Sequence, residues 1–202
     1  MRKLLIIITL CFLASCANPI NRHTGMNYND WGGNAETAGD YTLAERNYSR
    51  ALMNFQIGYT GDADVSMALY NLGRVKGYLC KYGEAESLLL EALQLEEKVT
   101  GPESAVTSMR VFELARLSFD RQQFEKAVIY YSRGIPLVRK LGAENKDPIA
   151  LADAIDEYSS SLTQTGASDK ARAASQEANA LRANNPEKKA RFVPVRYKNK
   201  CM

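Results

Sequence analysis

Four cysteines and one histidine are the residues of this 202-residue chain from which covalent or metal chemistry would most readily be built. No closely spaced Cys and His pair is present, so neither a metal site nor a cofactor is expected. Glu96-Glu97 and Asp156-Glu157 are the carboxylate pairs that acid–base chemistry would use, yet both fall on helical surfaces where such charge is ordinarily solvated. The HExxH, GxSxG, SxxK, GxxxxGKS/T and GxGxxG patterns are all missing. The expectation is a protein that is not an enzyme and that works through recognition.

The elements that must position a recognition surface are written as a repeat. Leu72 and Leu114, Gly73 and Ala115, Tyr82 and Phe124, Ala85 and Ala127, Leu89 and Tyr131, Ala92 and Gly134 pair off at one spacing of 42 residues. An upstream copy sets Tyr41, Ala44, Tyr48 and Ala51 ahead of Tyr82, Ala85, Leu89 and Ala92, and a downstream copy sets Ala171 and Ala178 behind Ala127 and Gly134. Between Glu84 and Val99, apolar residues at Ala85, Leu88, Leu89, Ala92, Leu93 and Leu95 follow helical spacing. Small residues at the repeated positions let paired helices approach closely. Gly101-Pro102 ends the helix with a residue tolerant of positive φ and one that cannot continue it. A single hairpin cannot bury its own apolar face, whereas a stack can. The fold class is therefore all-α, a stack of about four antiparallel helical hairpins.

These residues resemble the tetratricopeptide repeat in its 42-residue kinesin-light-chain variety. The resemblance rests on Leu72-Gly73, Lys81 to Ala85, Leu89 and Ala92, then on Leu114-Ala115, Gln123 to Ala127, Tyr131 and Gly134. The linkers Gly101 to Val106 and Gly142 to Ile149 are similar to those of the family. The outer copies depart from it, with Trp31-Gly32 and Tyr158-Ser159 in place of the Leu-Gly pair and Ser175 in place of the large residue, as terminal repeats do. The resemblance implies a right-handed solenoid with repeats at about 26–60, 66–100, 108–141 and 150–185. It also implies a concave groove lined by the first helix of each hairpin. In the central repeats that register selects Met67, Tyr70, Asn71, Arg74, Gly77 and Tyr78, and Met109, Phe112, Glu113, Arg116, Phe119 and Asp120. Tyr70, Asn71, Arg74, Tyr78, Phe112, Arg116 and Phe119 are the candidate partner-binding residues, and the two arginines suit a peptide that carries a carboxylate. The alternative is that Met67, Tyr70, Met109 and Phe112 pack between hairpins.

At the amino terminus Arg2 and Lys3 precede the apolar run Leu4 to Ala14, which ends in Leu13-Ala14-Ser15-Cys16. This is the layout of a secretory signal, too short for a comfortable span. The string also resembles the bacterial lipobox, which implies a signal peptide over 1–15, a lipid-modified Cys16 and a tether over 16–25. With Ala17 next to that cysteine, the implied address in a Gram-negative cell is the periplasmic face of the outer membrane. Cys80 and Cys201 would then be the mature thiols, open either to a disulfide or, for Cys80, to a role as a small buried hydrophobe late in a helix.

The formal charge of +3 conceals an acidic repeat region and a basic tail over 186–202, where Lys188, Lys189, Arg191, Arg196, Lys198 and Lys200 face one acid, Glu187. The tail could meet lipid headgroups, peptidoglycan or an acidic partner, fold back on its own array, or remain solvated. Nucleic acid is not an expected ligand for an exported protein. The expected function is a lipid-anchored adaptor that binds an envelope protein or peptide, in settings such as assembly of an envelope, secretion or pilus machine. A structural lipoprotein that engages peptidoglycan through its tail is the alternative.

Overall fold

The computed structural model describes residues 2–197, with side chains from residue 19 onward, and every element among them is helical. In chain order these are α1 (Arg2–Thr37), α2 (Tyr41–Ile57), α3 (Asp62–Tyr78), α4 (Tyr82–Thr100), α5 (Ala105–Asp120), α6 (Phe124–Lys140), α7 (Ala143–Lys146), α8 (Pro148–Gln164) and α9 (Ser168–Ala183). Successive hairpins α1/α2, α3/α4, α5/α6 and α8/α9 pack one on the next as a tetratricopeptide-like solenoid.

The tight hairpin turns share one construction. The middle residue of each, Gly39, Cys80, Gln122 and Gly166, is left-handed, with φ of 79°, 64°, 58° and 81°. The next backbone N–H reaches back to the carbonyl five residues earlier: Asp40 to Ala35, Lys81 to Lys76, Gln123 to Ser118 and Ala167 to Leu162. This ties off the carbonyls that the first helix leaves unsatisfied and reverses the chain within three residues. Glycine takes this conformation freely, whereas Cys80 and Gln122 hold it against the Cβ penalty. New helices begin on side-chain caps at Asp40, Ser104 and Asp147, the last followed by Pro148 at the first helical position.

Small residues decide how closely the two helices of a hairpin approach. A Cβ on Gly73 would lie 2.9 Å from Leu89 Cγ, and one on Gly32 would lie 2.6 Å from the Tyr48 ring. Each glycine is thus the seat for a large residue of the second helix. Trp31-Gly32 therefore serves in the first hairpin as Leu72-Gly73 does in the second. Ala44, Ala51, Ala85, Ala92, Ala127 and Ala178 are fully buried, and with Tyr48, Leu89 and Tyr131 they form the interior seam of the stack.

Two local expectations need revision. Residues 19–25, read as a tether, lie within α1 and are docked: Arg22 Nε donates to Asp64 Oδ2 at 2.7 Å, and Gly25 backs onto Phe55. Cys80 is not a buried residue late in a helix; it is exposed in the α3/α4 turn and is bonded in a disulfide. Whether Cys201 is the partner, as the sequence left open, lies outside the described residues, as do the side chain of Cys16 and the end of the basic tail. Among the described residues, no helix is long and apolar enough to cross a membrane.

Candidate functional site

The first helices of the hairpins, α1, α3, α5 and α8, present side chains to one another on a common face, and the buried Glu113 carboxylate of α5 organises it. Glu113 is 3% exposed. It accepts hydrogen bonds from Tyr70 Oη at 3.0 Å and from Arg116 Nη2 at 2.6 Å, with Arg74 Nε at 4.0 Å. Arg74 also donates to Glu36 of α1, which in turn accepts from Tyr48 Oη at 2.9 Å. Asn71 Nδ2 donates to Asn29 Oδ1 at 2.9 Å, one repeat away. Arg110 lies 3.9 Å over the Tyr70 ring. Burial by itself would push the Glu113 carboxyl up. The Arg116 and Arg74 guanidiniums, joined by the hydroxyl of Tyr197, outweigh it and hold Glu113 below the usual carboxylate range.

That last contact comes from the tail. Residues 191–197 fold back across this face. Arg191 and Phe192 donate their backbone N–H groups to Asp147 Oδ2 at 3.1 and 3.0 Å. Phe192 lies under the Arg116 guanidinium, 5.4 Å from its carbon. Arg196 Nε donates to both Asp120 oxygens at 3.2 Å, its Nη1 donates to Glu157, and its guanidinium covers the Phe119 ring at 5.4 Å. Tyr197 N donates to Asp120 Oδ2 at 2.8 Å, while its ring is completely buried and stacks on Tyr78 with centroids 5.0 Å apart. A Cβ on Gly77 would stand 2.4 Å from that ring, so the slot exists because position 77 is glycine. The Tyr197 hydroxyl donates to Glu113 Oε1 at the bottom of the slot.

Of the seven candidate binding residues, the structure brings Tyr70, Arg74, Tyr78 and Arg116 around Glu113, and Phe119 beneath Arg196. Asn71 is joined to α1, and Phe112 turns toward α6, in contact with Gly134 and 6.1 Å from the Tyr131 ring. Arg74 and Arg116 are already paired with Glu36 and Glu113, so neither presents an open guanidinium to a carboxylate ligand. The groups that hold a chain segment here are acidic and apolar: Asp120, Glu157, Glu113, Tyr78 and the bare backbone of Gly77.

Two of these left a trace in the sequence. Gly77 stands in the last turn of α3 with helical backbone, where glycine costs up to about 1 kcal/mol against alanine and so points to a close approach. Asp120 ends α5, where a carboxylate opposes the helix dipole unless a cation meets it. Among the described residues, no group of three or more His, Cys, Asp or Glu is placed to hold a metal ion.

This stack of hairpins, with the chain's own tail against its first-helix face, has the tetratricopeptide-like fold. Residues 64–140 match the tetratricopeptide repeat family. Among solved structures, the fold is similar to BtubC (BKLC) from P. vanneervenii, with a TM-score of 0.74 and 21% identity over 85% of this chain and 70% of that one. It is also similar to a putative kinesin light chain from Podosopora anserina with nearly identical TPR-like repeats, with a TM-score of 0.65 and 14% identity over 81% and 77% of the two chains. No curated protein matches the sequence. Tetratricopeptide proteins generally bind protein partners, and the fold is typically an interaction scaffold rather than an enzyme.

Proposed function

We propose that the protein is a lipid-anchored, non-enzymatic adaptor of the bacterial cell envelope that binds a protein partner through the groove lined by α1, α3, α5 and α8. The observation that carries the reading is that this groove holds a non-helical chain segment, residues 191–197, through backbone N–H donors and one buried side chain, Tyr197. A face that seats one such segment has the chemistry to seat another. The membrane address rests on the amino-terminal residues: a basic pair, an apolar run and Leu-Ala-Ser-Cys ending at Cys16. Acyl chains on Cys16 would anchor the array, each buried methylene contributing about 0.8 kcal/mol. A tail given over to peptidoglycan fits less well, because Arg196 is committed to Asp120 and Glu157.

Membrane fractionation of the wild type beside Cys16→Ala, with labelled fatty acid, tests the anchor. Wild type is expected in the membrane fraction and labelled, and Cys16→Ala soluble and unlabelled; an unlabelled wild type ends the lipid reading. For the groove, a photo-crosslinking residue at Met109, which is exposed on α5, should trap a specific envelope protein in native membranes. A trap that yields only lipid or nothing removes the adaptor reading.

A further inference from the structure

We propose that the groove is a receptor for an extended segment in which an arginine directly precedes a tyrosine, that Arg196-Tyr197 is its resident occupant, and that a partner carrying the same pair displaces it. This deepens the adaptor reading above and rests on it. The expectation of a carboxylate-bearing ligand is thereby reversed: Arg74 and Arg116 are internally neutralised, and what remains for a ligand is Asp120, Glu157 and the slot over Gly77.

The slot selects a tyrosine on three separate grounds. Its width needs the missing Cβ of Gly77, its wall is the stacked ring of Tyr78, and its floor is a buried carboxylate that accepts from a hydroxyl. Alanine in place of the ligand tyrosine would leave a void above Gly77, and phenylalanine would set a carbon against Glu113. The arginine is selected by the fork that meets both oxygens of Asp120 while its far nitrogen reaches Glu157, an arrangement lysine cannot reproduce. Adjacency is fixed because Asp120 also accepts the backbone N–H of Tyr197, so one carboxylate binds the arginine side chain and the next residue's backbone. Arginine and tyrosine are the residue types that most often dominate binding energy in a desolvated centre.

The noncovalent hold of the occupant is confined to its ends. Between its anchors the tail stays outside the stack, with Phe192, Val193 and Val195 all exposed. That hold is concentrated in the final pair and in the Asp147 cap, and attachment to α9 gives it a roughly millimolar effective concentration, which a Cys80–Cys201 disulfide raises further. A free competitor must overcome that advantage. A partner with further contacts along the array would do so.

The test uses the full chain with Cys201→Ser as the common background, so that no disulfide to that residue ties the tail, and a fluorescent synthetic peptide with the sequence of residues 190–200. Its binding is measured by polarisation to wild type, to Arg196→Ala with Tyr197→Ala, and to that double variant carrying Gly77→Ala. The opened double variant should bind the peptide at least tenfold more tightly than wild type, and Gly77→Ala should abolish binding while circular dichroism stays helical. Peptides with Tyr→Ala or Arg→Gln should each bind the opened variant at least tenfold more weakly. An opened, helical variant that ignores the peptide would make the tail a fixed structural strap and overturn the proposal. Equal binding to wild type, or binding unaffected by Gly77→Ala, would place the peptide elsewhere and overturn it too. Because the Cys16 and Met109 results do not depend on this peptide, a failure here leaves the adaptor reading separately testable.

Discussion

The Tyr197 hydroxyl donates to the carboxylate of Glu113, 84 residues earlier in the chain, so the last described residue closes onto the centre of the array. Glu113 also neutralises Arg116 and faces Arg74, which makes one buried carboxylate the junction of two hairpins and the tail.

Glu113→Gln keeps the shape of that junction and removes its charge, leaving two guanidiniums undercompensated. Loss of one partner from a buried ionic network is expected to cost about 3–5 kcal/mol. Tyr197→Phe removes only one hydroxyl and is expected to cost about 1.5–3 kcal/mol. Urea unfolding of the two variants ranks them; a Tyr197→Phe loss equal to that of Glu113→Gln would mean that the network is held chiefly by the tail.

The left-handed turns separate backbone strain from packing. Gln122, at φ 58°, carries a Cβ penalty that Gly166, at φ 81°, avoids, and a Cβ on Gly166 would meet nothing within 4 Å. Gln122→Gly is expected to stabilise by about 0.5–1 kcal/mol and Gly166→Ala to destabilise by about 1 kcal/mol. Shifts in the urea midpoint with unchanged slope would support this, and shifts of the opposite sign would refute it.

Stability should fall at both ends of the pH scale through the same junction. Glu113 is held below its ordinary value of 4.5, so its contribution is complete above that value and disappears as pH falls through the lower, folded-state value. Burial, with Glu113 opposing Arg74, pushes the Tyr78 phenol from 10.0 up to about 12, so its contribution is complete below pH 10 and is lost between there and about 12. Tyr197 is pushed up in the same direction, by burial first and Glu113 second. In urea titrations across pH, Glu113→Gln should flatten the acid limb, and Tyr197→Phe should weaken the alkaline one.

Cys80 is disulfide-bonded, and it is the one cysteine among residues 19–197. Tyr197, four residues before Cys201 in the sequence, stacks on Tyr78, two residues before Cys80. Peptide mapping without reductant is expected to recover Cys80 joined to Cys201, and Cys201→Ser to leave Cys80 open to alkylation. A Cys80 that stays protected in Cys201→Ser would assign the bond to another cysteine.

The repeat was legible because its cause is periodic. Hairpins that stack on equivalent neighbours need the same small and large residues at the same places, so Gly73 with Leu89 and Gly32 with Tyr48 could be read from spacing alone. Fold class and hairpin count follow from that local repetition, and so does the grouping of Tyr70, Arg74, Tyr78 and Arg116 on one face. The sense of the groove was not. Spacing marks which residues share a face, but it does not show whether an arginine on that face is free or already paired with Glu36 or Glu113.

The tail lies further still from what a pattern can reveal. Arg196-Tyr197 has no periodicity, and its partners Gly77, Glu113, Asp120 and Glu157 come from three different helices. The sequence by itself determined a stack of helical hairpins, since helix period and close-packing sizes are properties of neighbours along the chain. Only the tertiary structure decided that Arg74 and Arg116 are paired and that the tail lies across their face, because charge pairing and the depth of a slot depend on residues that meet across the fold.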